Sequence, residues 1–200
     1  MRFLLNKYKQ IKICIFGVLI AELMQKLSME ELNRPDVESF KAQEKTPIVI
    51  VLDNVRSMHN VGSTFRTADG FAIAKILLCG ITGTPPHREI EKTALGATQS
   101  VLWEHVADTR EAVKSLQQEG YTVIAIEQAA GSIALQDISI QTDHKYAFVF
   151  GNEVHGVADE VMQEMDACIE IPQFGTKHSL NVSVTVGIVL WHFIQKLKLL

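Results

Sequence analysis

Cysteine is scarce in this chain of 200 residues: Cys14, Cys79 and Cys168 are odd in number and widely separated, with no C-x-x-C pair. That scarcity excludes a disulfide framework, and with no histidines at ligand spacing it argues against a zinc site. G-x-G-x-x-G and G-x-x-x-x-G-K-[ST] are both absent, which sets aside a nucleotide-dependent dehydrogenase or kinase. His87-Arg88-Glu89 has the H-x-E of zinc deaminases but lacks their P-C-x-x-C. Excess positive charge is missing too. At a formal net charge of -4 the chain is no general polyanion coat, although a local basic groove is compatible with that balance. Repeats, low-complexity tracts and an apolar run long enough to span a bilayer are likewise absent.

What is present is 47% hydrophobic and 21% charged, enough for one domain with a real core and too short for two ordinary ones. Arg2, Lys7, Lys9 and Lys12 precede an apolar run at 13–21, the outline of a secretory signal. No small-x-small cleavage site follows cleanly, and Met24 and Met29 offer alternative starts, so an overextended reading frame or an extra helix is favoured over export. Without residues 1–23, four basic side chains and one acid leave the count and the core is distinctly acidic. Residues 1–46 therefore read as an N-terminal extension with a short amphipathic lead-in, and 47–200 as the functional domain.

Apolar, β-branched runs predict strands at 48–52, 75–79, 121–126, 146–150 and 168–171. Helical patterns lie between them at 61–71, 108–119 and 157–165, and the alternation favours a parallel α/β sheet. The last segment, 179–200, has strand-preferring residues at helical length. Length decides for a helix, and one apolar on nearly every side has to be buried all round, inside the domain or against a second copy.

Three constellations carry chemistry. The first, residues 52–69, runs from a strand end through a polar turn into a helix and offers Asn54, Arg56, His59, Asn60 and Arg66 at the sheet edge where parallel sheets bind ligands. Amide donors and fixed positive charge suit a phosphodiester or a ribose, while a capped helix with solvated arginines accounts for the same spacing. In the second, 148–157, a buried strand delivers Gly151 and the pair Asn152-Glu153 before Gly156; glycine permits close backbone approach to a ligand. The third, 169–183, is a strand, a Pro/Gly loop and polar residues opening an apolar helix. Ser179 and Asn181 both stand where helix caps belong, and one helix needs only one cap.

Taken in order, N-x-x-x-x-x-N-x-G-x-x-x-R-T-A, F-G-N-E-x-x-G and I-P-x-x-G-x-x-x-S-L-N-V-S-V resemble the three motifs of the SpoU family of RNA methyltransferases, within the SPOUT class. The resemblance covers residues 47–195. It implies a parallel-sheet α/β fold with a C-terminal deep trefoil knot, an obligate homodimer, S-adenosylmethionine as cofactor, no metal, no membrane and a cytoplasmic location. It also implies that Glu127, Gly151, Asn152, Ile171 and Leu180 hold the cofactor. Asn60, Arg66, Glu153, Ser179 and Asn181 match the polar positions around the reaction, with Arg66 activating a ribose 2'-hydroxyl of tRNA or rRNA. Arginine is a poor base, so its expected part is to stabilise the developing alkoxide, with a transiently neutral guanidine or a substrate phosphate taking the proton. RNA contacts are expected from Arg56, His59, Arg88 and Lys177, with Lys41, Lys45 and Lys92 as further candidates. His155 and His178 read as polar loop residues, and Trp103 and Trp191 as core or dimer contacts rather than base stackers. Two alternatives stay open: a base methyltransferase of the same class, and a catalytically silent RNA-binding module.

Overall fold

The computed structural model describes residues 26–28 and 30–197. The apolar run at 13–21, its basic flank and Cys14 lie outside them, as do the last three residues. The chain divides into two compact units, Met1–Arg34 and Pro35–Leu200. The described part of the first is a turn in which the Ser28 amide donates to Glu31 and the Glu31 amide donates back to the Ser28 hydroxyl.

Among its described residues the second unit contains seven strands: β1 (Thr46–Asp53), β2 (Ile73–Cys79), β3 (Trp103–Val106), β4 (Tyr121–Ile126), β5 (Ile133–Ala134), β6 (Lys145–Phe150) and β7 (Ala167–Glu170). They form one sheet in the order β3-β2-β1-β6-β4-β7-β5, with every pairing parallel. Its helices are α1 (Val37–Ala42), α2 (Met58–Gly70), α3 (Arg88–Ala94), α4 (Ala97–Ser100), α5 (Thr109–Gln118), α6 (Asp159–Met162) and α7 (Val182–Lys196).

The central strands β1, β4 and β6 are apolar at consecutive positions because both faces of the sheet are covered there, as parallel sheets require. On one face Ile48, Ile50, Leu52, Ile76, Leu78, Phe148 and Phe150 pack with Val61 and Phe65 of α2 and Val186, Leu190 and Phe193 of α7. On the other, Val49, Val51, Leu77, Val123 and Val149 pack with Val113 and Leu116 of α5 and with Val161 of α6. Trp103 sits at the margin of the first cluster, edge-on to Phe65 at 6.4 Å. Cys79 is buried in the second, where desolvation and then the neighbouring Asp53 push its thiol up to about 12, so it is inert.

The predicted parallel α/β sheet is present, and two local expectations need correction. The helix expected at 157–165 is only α6. It stops because Asp166 is taken up by the sheet, its carboxylate accepting from the Val123 amide at 2.7 Å and from the Gln117 side chain at 3.1 Å. Two short strands, β3 and β5, and helix α3 lie where none was predicted. The terminal segment is a helix, as its length required, and its own domain buries one side of it. Val186, Val189, Leu190, Phe193 and Ile194 face the core, while Val184, Ile188 and Trp191 stay 51%, 37% and 46% exposed. The sheet covers one side only, so the opposite side of α7 is left as an apolar strip, with Trp191 tilted against Phe71.

Candidate active site

Parallel pairing brings the carboxyl ends of β1, β4, β6 and β7 to one edge of the sheet, and the three motifs leave from those ends. β6, late in the chain, sits between β1 and β4. Crevices at such breaks in strand order are where ligands bind in open α/β sheets. A cleft of about 550 Å³ opens there, lined by Glu127, Gly151, Asn152, Glu153, Ile171, Ser179, Leu180 and Asn181.

Hydrogen bonds join the three motifs, although the cleft itself is lined by the second and third motifs and by residues 126–128, with none of 52–69 among them. The Glu153 carboxylate accepts from the backbone amides of Arg56 and Ser57, both at 3.0 Å, and from the Asn60 side chain at 3.1 Å. It thereby fastens the turn after β6 to the start of α2, where unpaired amides favour a negative charge. Burial by itself raises the Glu153 carboxyl, but the amides of Arg56, Glu153 and Ser57 and the Asn60 side chain outweigh it, so its pKa lies below the ordinary glutamate value. Asn60 accepts in turn from the Asn181 side chain at 3.1 Å. Asn181 is the N-cap of α7, its Oδ1 accepting from the Ser183 amide at 2.9 Å. With Asn181 as the cap, the Ser179 hydroxyl is free for other work: it has no hydrogen-bond partner among the described residues.

Turn geometry at the cleft floor depends on two glycines. A Cβ on Gly151 would stand 2.0 Å from the Gly156 carbonyl carbon and 2.1 Å from the Val157 nitrogen. Gly151 thus permits a close approach of the chain's own backbone, and it also lines the cleft. Gly156 has a φ of +68°, and a Cβ there would meet the Glu127 carboxylate at 2.0 Å. Glu127 accepts from the Gln128 amide at 2.8 Å and the Val157 amide at 3.2 Å. The Asn152 side chain is committed internally, donating to the Asn54 carbonyl at 2.8 Å and accepting from the Val154 amide at 2.8 Å.

Arg66 stands apart. It is exposed on α2 and does not line the cleft of its own chain. Among the expected RNA contacts, Arg56, Arg88 and Lys177 are exposed, with no side-chain partner among the described residues. His59 is paired with Glu89 at 2.7 Å, and Lys92 with the same carboxylate at 2.8 Å. Lys41 pairs with Glu38, and Lys45 lies over the Phe40 ring and donates to the Phe40 carbonyl.

Two residues at this edge escaped the sequence reading. Asp53, only 1% exposed, accepts from the Thr109 hydroxyl at 2.6 Å, the Asn54 side chain at 2.8 Å and the Ala158 amide at 3.2 Å. A carboxylate closing an apolar strand was the available signal. Gln128 reaches over the cleft and donates to the His178 carbonyl at 2.8 Å, a contact that nothing in local sequence announces.

The three joined motifs fall inside residues 47–191, which match the SpoU rRNA Methylase family. A 23S rRNA (guanosine-2'-O-)-methyltransferase, RlmB, from Vibrio parahaemolyticus is 30% identical over 167 residues, 84% of this chain and 66% of that protein. An uncharacterized tRNA/rRNA methyltransferase from Borreliella burgdorferi is 31% identical over 82% of this chain and 70% of its own length. Among solved structures, an AdoMet-bound rRNA methyltransferase from Sinorhizobium meliloti aligns with a TM-score of 0.71 at 28% identity, covering 76% of this chain and 57% of that one. A TrmH/SpoU tRNA modifying enzyme of A. aeolicus also gives 0.71, at 25% identity over 81% of this chain and 80% of the other. The chain thus spans slightly under two thirds of its RlmB relative. With sequence, sheet order and cleft in agreement, the chain belongs to the SpoU rRNA methylase family.

Proposed function

We propose that this chain is a methyltransferase that moves the methyl group of S-adenosylmethionine to a ribose 2'-hydroxyl of tRNA or rRNA. The observation that carries the reading is the hydrogen-bonded chain Asn181–Asn60–Glu153, which ties the first motif to the second and third, whose residues line the cleft. The residues fit the cofactor: the cleft volume lies in the range of small-molecule sites, and Glu127, Glu153 and Glu170 line it with negative charge suited to a sulfonium. When bound, the cofactor supplies an activated methyl group that needs no metal. Glu127, Gly151, Asn152, Ile171 and Leu180 hold it, Asn152 through backbone atoms because its side chain is engaged.

On this reading Glu153 and Asn60 hold the start of α2 in place, while Ser179 and Asn181 orient the ribose. Arg66 stabilises the developing alkoxide, and a neutral guanidine or a substrate phosphate takes the proton. Arg56, His59, Arg88 and Lys177 contact RNA phosphates. His59 must exchange Glu89 for phosphate to do so.

A homodimer belongs to the same proposal. Val184, Ile188 and Trp191 leave an apolar strip on α7 that a second copy would cover, and Arg66, outside its own cleft, would then meet the reacting group within the assembly. We also infer a C-terminal trefoil knot. Its support is that β7 lies between β4 and β5, and that the segment between β4 and β6 is bonded to the final stretch twice, Gln128 donating to the His178 carbonyl and Lys196 donating to the Gln136 carbonyl. The methyltransferase domain on this reading is 47–200, with 1–46 as an extension. No described helix is long and apolar enough to cross a membrane, and a cytoplasmic location is part of the proposal.

Calorimetric titration with S-adenosylmethionine tests the cofactor, and lack of binding favours the silent RNA-binding module. Mass spectrometry of nucleosides from a deletion strain tests the product: loss of a 2'-O-methylated nucleoside is expected, and loss of a base-methylated one overturns the ribose assignment.

A further inference from the structure

The loop between β7 and α7 carries an aromatic side chain that touches almost nothing. Phe174 is 98% exposed, with Gly175, Thr176, Lys177 and His178 exposed after it. Single exposed apolar residues are ordinary on protein surfaces, but a large aromatic is seldom this bare. Its position supplies the second observation. Gln173 and His178 on either side of it line the cleft, so Phe174 stands on the rim. The loop is pinned behind it, since Gln128 donates to the His178 carbonyl at 2.8 Å and Asn181 donates to Asn60 at 3.1 Å.

We propose that Phe174 is a stacking platform for an RNA base beside the methylated ribose, an inference that rests on the methyltransferase reading. A ribose brought to Ser179 and Asn181 carries its neighbouring nucleotides over this rim. Bases freed from a helix stack on aromatic side chains whatever their identity, because each has a π face. Lys177 lies three residues further on, without a side-chain partner among the described residues, so a phosphate contact and a stacking surface sit on one short loop. Phe174 is absent from the walls of the cleft, which sets its partner outside the cofactor space.

Affinity for fluorescein-labelled single-stranded oligoadenylate, read by anisotropy in the full chain, tests this alongside calorimetry with S-adenosylmethionine. Phe174→Ala is expected to lose about tenfold or more in RNA affinity, on the scale of aromatic–base stacking. Phe174→Trp should restore it and Phe174→Leu should not. Cofactor affinity and the salt dependence of RNA binding should stay unchanged in Phe174→Ala, whereas Lys177→Ala should make the salt slope shallower. The proposal is overturned if Phe174→Ala binds RNA like the parent, if Leu serves as well as Trp, if cofactor binding falls instead, or if only the oligomeric state moves. Should the parent chain bind neither S-adenosylmethionine nor oligoadenylate, the methyltransferase reading fails and this proposal falls with it. When the parent binds both and Phe174→Ala is unchanged, only the stacking role fails.

Discussion

Asn181 donates its side-chain amide to Oδ1 of Asn60 at 3.1 Å across 121 residues of sequence, and Asn60 passes the contact on by donating to Glu153 at 3.1 Å. Asn60 is acceptor and donor at once, which an amide can be and an ionised carboxylate cannot. The start of α2, the N-cap of α7 and the turn after β6 are thus set by one side chain.

Asn60→Asp is the sharpest test of that arrangement. It keeps the acceptor for Asn181 but puts a second carboxylate against Glu153, where a donor had been. Turnover in a methyl-transfer assay is expected to fall by about tenfold or more, the cost of losing one charge-assisted hydrogen bond, with smaller loss of S-adenosylmethionine affinity. An Asp variant as active as the parent would show that the contact is incidental.

Acid should loosen the same knot of contacts. The Glu153 pKa is depressed in the folded chain by the amides it accepts from, so its ionised form binds better there than in the unfolded chain. The stability it contributes is fully present above the ordinary glutamate value of 4.5 and is lost as pH falls through the lower folded value. Thermal unfolding followed below that pH should show a shallower acid limb in Glu153→Gln than in the parent; superimposable profiles would count against this role.

Much of this fold is legible in the sequence because β1, β4, β6 and the second half of β2 are apolar at consecutive positions, and that pattern reports burial on both faces. β3 is not legible: it has four residues, and Glu104 and His105 are exposed at the sheet margin. The order of strands is hidden as well, since β6 enters between β1 and β4 through contacts that no local pattern encodes. At the site, motif spacing located Glu153, Asn60 and Asn181, but their mutual bonds appear only when three strand ends meet. Arg66 takes its expected part from the family resemblance alone, and in the structure it is exposed on α2 and absent from the lining of the cleft of its own chain.

Asp53 should prove the most costly side chain to remove at this edge. Three donors from Thr109, Asn54 and Ala158 converge on a carboxylate that is 1% exposed. Asp53→Ala leaves buried donors unmatched, and a loss of roughly 3 kcal/mol or more is expected in urea unfolding. The β1 end and the starts of α5 and α6 should loosen together, visible as faster amide exchange at all three, and a loss confined to one of them would refute the hub.

The two glycines of the second motif should differ in kind. At Gly156 a side chain faces a positive φ and the Glu127 carboxylate, which can swing away, so Gly156→Ala is expected to cost about 1–2 kcal/mol, as left-handed backbone does for alanine. At Gly151 every close neighbour of an added Cβ is backbone of Gly156 and Val157, which can move only by displacing the cleft floor. Gly151→Ala should therefore cost more, about 3 kcal/mol, and should lose S-adenosylmethionine binding even where the chain still folds. Thermal unfolding and calorimetry on the two variants give the ranking, and a Gly156→Ala variant that proves the more damaged would mean that the turn, rather than the close approach, governs this site.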